Sequence, residues 1–174
     1  MANIRRAIRD IPNFPKPGIV FKDITPLLAN GPLFAKTIDC FAERYQAQKI
    51  DTVLGIESRG FIIGAALAYR VGAGFNVVRK PGKLPYETHK ASYELEYGTD
   101  ALEIHIDAIK PGARVIIADD LIATGGTAAA TAELVTKLGG TVVECAFVIE
   151  LSFLKGRQKL KPHGVYSILQ FDSE

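Results

Sequence analysis

The chain has 174 residues, 48% of them apolar and 23% charged, with two cysteines, three histidines and a formal net charge of +2. That length suits one domain around one sizeable core, and the near-neutral charge argues against a nucleic-acid or acidic-membrane surface. The longest apolar run, residues 61–68, is far short of a membrane span.

Arg5, Arg6, Arg9 and Asp10 stand where a signal peptide would have its apolar core, so a cytoplasmic protein is expected. Cys40 and Cys145 read as reduced, buried small hydrophobes without metal-ligand spacing to the histidines. Ile4, Ala7, Ile8 and Ile11 are spaced for one face of a short helix. Pro12, Pro15 and Pro17 then argue against regular structure. Residues 14–26 read as a stiff, loop-like arm rich in large apolar side chains. The arm either packs on the core or covers a flat apolar ligand, with Phe21 stacking on it. Leu33, Phe34, Ile38, Phe41, Ala42 and Tyr45 form the stripe of an amphipathic helix.

Residues 52–56 are a short apolar strand. It ends in Glu57-Ser58-Arg59-Gly60 and runs straight into a helix over 61–70. This strand-to-helix junction is either a surface loop or an anion site, and Arg59 is the side chain there suited to a phosphate oxygen. Residues 75–78 are another strand, ending in Arg79-Lys80-Pro81-Gly82-Lys83-Leu84-Pro85. Three cations within five residues, on a loop stiffened by proline, are either a solvated face or a grip on a diphosphate.

Residues 91–97 and 102–106 alternate around Gly98-Thr99-Asp100, as a β-hairpin does. A hairpin inserted in an α/β chain is a candidate lid, with Glu94, Glu96 and Glu103 on its polar face. Pro111-Gly112 turns into the apolar run 115–118, whose β-branched content suits a buried parallel strand. Asp119 and Asp120 follow where that strand is expected to end. Leu121 and Ile122 lead into Ala123, Thr124, Gly125, Gly126 and Thr127. A helix over 128–138 closed by Gly139-Gly140, a strand over 141–150 and a strand over 165–171 complete the pattern. Basic residues 155–162 between those strands are expected on the surface, and His163 in a turn. The alternation of strand and helix gives one α/β domain, 1–174, with a mostly parallel sheet and right-handed crossovers. An N-terminal arm spans 1–30 and a hairpin lid 84–106.

The stretch 115–127 has chemistry in each part. Its glycines allow close approach of backbone to a phosphate, and the helix start offers free N–H groups and a positive dipole end. Thr124 and Thr127 add hydroxyl donors. Asp119 and Asp120 would repel a phosphate, but they suit two neighbouring hydroxyls, as on a ribose. The plainer alternative is a strand, a turn and a helix cap. Two other nucleotide patterns are absent: Gly55 and Gly60 have P-loop spacing but Phe61 follows, and no Gly-x-Gly-x-x-Gly opens a helix.

Taken whole, these thirteen residues resemble the phosphoribosyl diphosphate (PRPP) signature of the type I phosphoribosyltransferases. The arm at 14–26 and the string Leu95-Glu96-Tyr97-Gly98 resemble the branch of that family that takes adenine. Arg79-Lys80, Gly82-Lys83-Leu84-Pro85 and Leu154-Lys155-Gly156-Arg157 match it as well. The resemblance implies the type I phosphoribosyltransferase fold, a central mostly parallel sheet flanked by helices with a flexible β-hairpin lid and a small N-terminal hood. It implies a reaction in purine salvage: adenine and PRPP give AMP and diphosphate, with Mg2+ carried by PRPP and no protein-only metal site. It further implies a homodimer without nucleic-acid or membrane partners.

Carried over by position, Ala123, Thr124, Gly125, Gly126 and Thr127 would cradle the 5′-phosphate, and Asp119 and Asp120 the ribose hydroxyls. Arg59, Arg79 and Lys83 would meet the diphosphate. Val20 and Lys22 would offer backbone groups to the adenine edge, with the ring between Phe21 and Leu121. Glu96 would be the acid/base group on the hairpin, with Tyr97 beside it. A family-like cis bond at Glu57-Ser58 is a further expectation, although Glu57 stands where many members carry another residue. Two rivals remain: the same chemistry on another purine base, and a PRPP-sensing regulator without catalysis. The regulator would need a DNA-binding module, for which residues 1–51 show no helix-turn-helix pattern.

Overall fold

The computed structural model describes residues 1–94 and 98–173. Its centre is a parallel sheet of five strands: β3 (Thr52–Ile56), β4 (Gly74–Val78), β7 (Arg114–Ile122), β8 (Thr141–Leu151) and β9 (Val165–Phe171). They lie in the order β4-β3-β7-β8-β9. Successive side chains of a strand face opposite sides, and both sides here are apolar. Val53, Ile116, Ala118, Ala146 and Val148 face one side, against Ile4, Leu27, Phe41, Tyr45, Ile63 and Leu67. Those partners come from α1 (Ala2–Arg6), α2 (Thr25–Ala29), α3 (Gly31–Tyr45) and α4 (Gly60–Val71). Leu54, Ile56, Val115, Ile117, Cys145 and Phe147 face the other side. There they meet α5 (Gly126–Lys137) and a hairpin of β5 (Thr88–Glu94) and β6 (Thr99–His105).

The α/β class and the parallel sheet are as expected, and β3 and β9 match the expected strands residue for residue. The helix over 61–70 extends to Gly60–Val71 and is closed by Gly72 at φ 72°. Asn30 caps α3, its Oδ1 accepting from Leu33 N–H at 3.1 Å. Arg44 and Tyr45 at the other end of α3 reach Glu144 on β8, at 2.6 Å and 2.7 Å.

Four expectations need correction. The first helix stops at Arg6, and Ile11 lies in β1 (Arg9–Pro12), which pairs with β2 (Val20–Asp23). The arm is therefore a hairpin followed by α2, not a loop. Its prolines are tolerated because Pro12 ends a strand of a two-stranded sheet and Pro26 sits in the first turn of a helix. The signature strand does not end at Ala118: β8 goes on pairing, Asp119 opposite Phe147 and Ile122 opposite Glu150, so both acids lie within β7. Residues 155–162 are not simply surface, because two 3₁₀ turns, Ser152–Leu154 and Gly156–Leu160, bury Gly156 and Leu160.

The root of the hairpin belongs to the core, since Ala91, Leu102 and Ile104 are buried under α5. Both cysteines are free, and burial pushes the Cys145 thiol up to about 12. Among the described residues no helix is long and apolar enough to cross a membrane.

Candidate active site

β4, β3 and β7 are neighbours in the sheet, so the loops after them open on one edge. This is the carboxyl edge where open α/β sheets bind ligands. The sequence thus brings its three anion-site candidates together: 57–59, 79–85 and 123–125.

The third loop leads into α5, with Gly125 at φ 80° as the residue before the helix. Only glycine takes that conformation without strain. The first turn of α5, which has N–H groups without an intrahelical partner, borders a cavity of about 220 Å³ lined by Asp119, Leu121, Ala123, Thr124, Gly125 and Thr127, among others. Leu121, expected against a base, is half-buried at this cavity.

Asp119 and Asp120 turn to different surroundings. Asp119 lines the cavity, and its Oδ1 accepts the Asp120 N–H at 2.8 Å. Burial, and then the neighbouring Asp120 charge, raise its carboxyl well above the ordinary 3.8. The start of α4 presses on it: a Cβ on Gly60 would stand 2.8 Å from Asp119 Oδ1, so only glycine fits there. Asp120 is buried, and its Oδ2 accepts from Arg59 Nε at 2.5 Å. One of the two acids expected on the ribose is thus paired with the arginine expected on the diphosphate.

Arg59 also lies over the Phe21 ring, 5.1 Å from its centroid. Phe14 meets the same ring edge-on, at 5.3 Å and 76°. The Lys22 side chain is already engaged: it is 3% exposed, pairs with Asp10 at 2.9 Å and lies over Phe171. That leaves the Lys22 backbone to meet a ligand; opposite Val20 stands Pro12, which has no N–H to give.

The basic loop is fastened by acids that the sequence pattern did not assign to it. Arg79 reaches both Glu57 oxygens at 3.3 Å and donates to the Lys83 carbonyl at 3.1 Å. Glu57 also accepts the Lys80 N–H at 2.9 Å. Burial opposes the Glu57 charge, but the Lys80 and Arg79 contacts outweigh it and hold the carboxyl below its ordinary value. The Glu57–Ser58 bond is cis. Glu103, expected on a solvated face, accepts the Gly82 N–H at 3.0 Å. Lys80 pairs with Asp100 and with the Tyr93 hydroxyl, tying the loop to the hairpin. Lys83 is exposed. Glu96 and Tyr97 lie outside the described residues. The available signal for Glu57 was its place at a strand end beside a basic loop.

Residues 23–172 match the family model of the phosphoribosyl transferase domain. Among curated proteins the chain is 61% identical over 171 residues to an adenine phosphoribosyltransferase of Syntrophotalea carbinolica, covering 98% of this chain and 100% of that one. Among solved structures it resembles the adenine phosphoribosyltransferase of Rhodothermus marinus, at 56% identity and a TM-score of 0.94 over 98% and 97% of the two chains. The enzyme of Saccharomyces cerevisiae, solved with an imino-altritol bisphosphate and adenine, matches at 49% identity and a TM-score of 0.92 over 97% of each chain.

Proposed function

The chain belongs to the adenine phosphoribosyltransferases of the phosphoribosyltransferase family, and from that premise we propose how its residues transfer the 5-phosphoribosyl group from PRPP to adenine. The products are AMP and diphosphate. The observation that carries the site assignment is the loop 123–127 at the head of α5 with Asp119 lining the same cavity. N–H groups and hydroxyls there suit a phosphate monoester, and a carboxylate below suits the hydroxyls of its sugar.

In this reading Ala123, Thr124, Gly125, Gly126 and Thr127 hold the 5′-phosphate and Asp119 accepts from a ribose hydroxyl. Arg59 turns from Asp120 to the diphosphate, which frees Asp120 for the second hydroxyl and uncovers Phe21 for adenine. Val20 and Lys22 meet the edge of the base through their backbone, and Leu121 closes its other face. Arg79 and Lys83 carry positive charge to the diphosphate.

The C1′–O bond breaks with its electron pair leaving on diphosphate, while adenine N9 forms the new bond to C1′. Positive charge develops on the ribose, and Asp119 and Asp120 stabilise it from nearby. The ring must lose one proton, and Glu96 is the base we assign to accept it. Such a positioned base is worth on the order of 100- to 10,000-fold in rate. Mg2+, when bound, supplies further positive charge to the leaving diphosphate. Glu57 is already engaged by Arg79, so a cation carried by the oxygens of PRPP would fit this edge. The hairpin closing over the site would exclude water that otherwise hydrolyses PRPP. We also propose a homodimer in the cytoplasm, with light scattering as the test of oligomeric state.

A base panel tests the reading. Purified protein, Mg2+ and PRPP are mixed with adenine, guanine, hypoxanthine or xanthine, and the nucleotide is identified by chromatography. AMP alone is the expected product. IMP, GMP or XMP would overturn the assignment of Val20 and Lys22 to an adenine edge, because a site built for one purine edge leaves polar groups unpaired with the other.

A further inference from the structure

The loop assigned to the 5′-phosphate rests on a second piece of backbone. The turn Gly156–Leu160 packs against it from behind. A Cβ on Gly156 would stand 2.1 Å from the Ala123 carbonyl oxygen and 2.9 Å from Gly125 N. A Cβ on Gly125 would stand 2.4 Å from the Gly156 carbonyl oxygen. No side chain fits on either partner, so the two backbones touch directly.

The turn is held in place by the next residue. Arg157 makes a two-pronged ion pair with Glu150 on β8, at 2.9 Å and 2.5 Å, and donates to the Val165 carbonyl at 2.6 Å. Glu150 is buried and also accepts from Ser167 at 2.5 Å. The Arg157 hydrogen bond leads the causes that hold its carboxyl below the ordinary value, against the cost of burial. In the sheet Glu150 stands opposite Ile122, the residue directly before Ala123. The pair therefore anchors at the root of the phosphate loop.

We infer that Glu150, Arg157 and Gly156 are positioning residues that set the curvature of loop 123–127 and so its grip on the 5′-phosphate of PRPP. Glu150 fixes Arg157, Arg157 fixes the turn, and the Gly156 peptide bears on Ala123 and Gly125. Bidentate charge-assisted pairing to a buried carboxylate is the kind of contact that fixes geometry as well as adding energy. The inference rests on the assignment of that loop to the 5′-phosphate, and deepens it.

Steady-state kinetics of the full chain tests it, with KM for PRPP and for adenine each measured at saturation of the other. Arg157→Ala is expected to raise the PRPP KM about 10- to 100-fold, the scale of an ångström-sized misplacement. The adenine KM and kcat should stay within about 3-fold, since uniform binding is what is lost. Arg157→Lys and Glu150→Gln should shift the PRPP KM in the same sense by less, and Gly156→Ala by as much as Arg157→Ala. Added guanidinium ion should lower the PRPP KM of Arg157→Ala and leave wild type unchanged. A parallel rise in both KM values without guanidinium rescue, or no change at all, overturns the inference. Should Arg157→Ala fail to fold, the same split is read from Arg157→Lys and Glu150→Gln. Wild type that makes no AMP would sink the underlying function instead, so the two failures are distinguishable.

Discussion

Asp119 lines the cavity beside the phosphate loop while Asp120 holds Arg59, so removal of each charge has its own signature. Asp119→Asn is expected to weaken PRPP by about 1.5–3 kcal/mol, the worth of a hydrogen bond to a charged group, or on the order of 10- to 100-fold in affinity. It should also raise the melting temperature at neutral pH. The sign follows from linkage: burial and Asp120 raise the folded carboxyl above its ordinary 3.8, so its charged form opposes folding, and that cost sets in as the pH rises above 3.8. Equal or lower stability of Asp119→Asn would contradict this account of the pair. Asp120→Asn is expected to loosen Arg59 as well as PRPP. Glu96→Gln should lower kcat on the order of 100- to 10,000-fold with PRPP affinity little changed, and near-normal turnover would remove Glu96 from the mechanism. The two acids were legible in the chain because carboxylates after an apolar strand have few uses there. Their division of labour was not, because it depends on β7 running on through them and on Arg59 arriving from another loop. Glu57 and Glu103 were missed for the same reason: each binds a residue 22 or 21 positions away.

At the scale of elements, the strands that were read residue for residue, β3 and β9, are short apolar runs with turns on both sides. The β1–β2 hairpin was hidden by its prolines, whose positions at a strand end and outside the ladder cost no paired N–H. The turn at Gly156–Leu160 was hidden by its charge, since Arg157 and Lys159 suggest water more than a buried support. The cap of α3 gives a prediction of purely local reach. Asn30→Ala removes the bond to Leu33 N–H, and urea unfolding should show a loss of about 1 kcal/mol. Both KM values should stay unchanged, because α3 packs on the sheet face away from α5 and the hairpin. A shift in either KM would mean that the cap is felt at the site through α2 and α4, on which α3 packs.

Across the whole molecule, two acids of β8, Glu144 half-buried and Glu150 buried, tie the layers together. Glu144 binds Arg44 and Tyr45 of α3, and Glu150 binds Arg157 and Ser167. Burial works against the Glu144 charge, but the Arg44 and Tyr45 hydrogen bonds outweigh it, and both carboxyls lie below the ordinary 4.5. Their contribution is therefore fully present above pH 4.5 and declines as the pH falls from there through the depressed folded values. Denaturant midpoints measured between neutral pH and acid should fall on that limb, and Glu144→Gln should flatten it; an unchanged limb would place the acid sensitivity elsewhere. The contact of Gly125 with Gly156 has a different consequence. Mutagenesis by truncation works by taking side-chain atoms away, and here there are none to take. An inventory of important positions drawn up by trimming would leave this contact blank. At these two positions only substitutions that add atoms can be made, and a saturation library scored on growth with adenine as the sole purine should deplete residues larger than glycine at both, the more so the larger the side chain. The support of the phosphate loop is thus written in the sequence as two missing side chains, 31 residues apart.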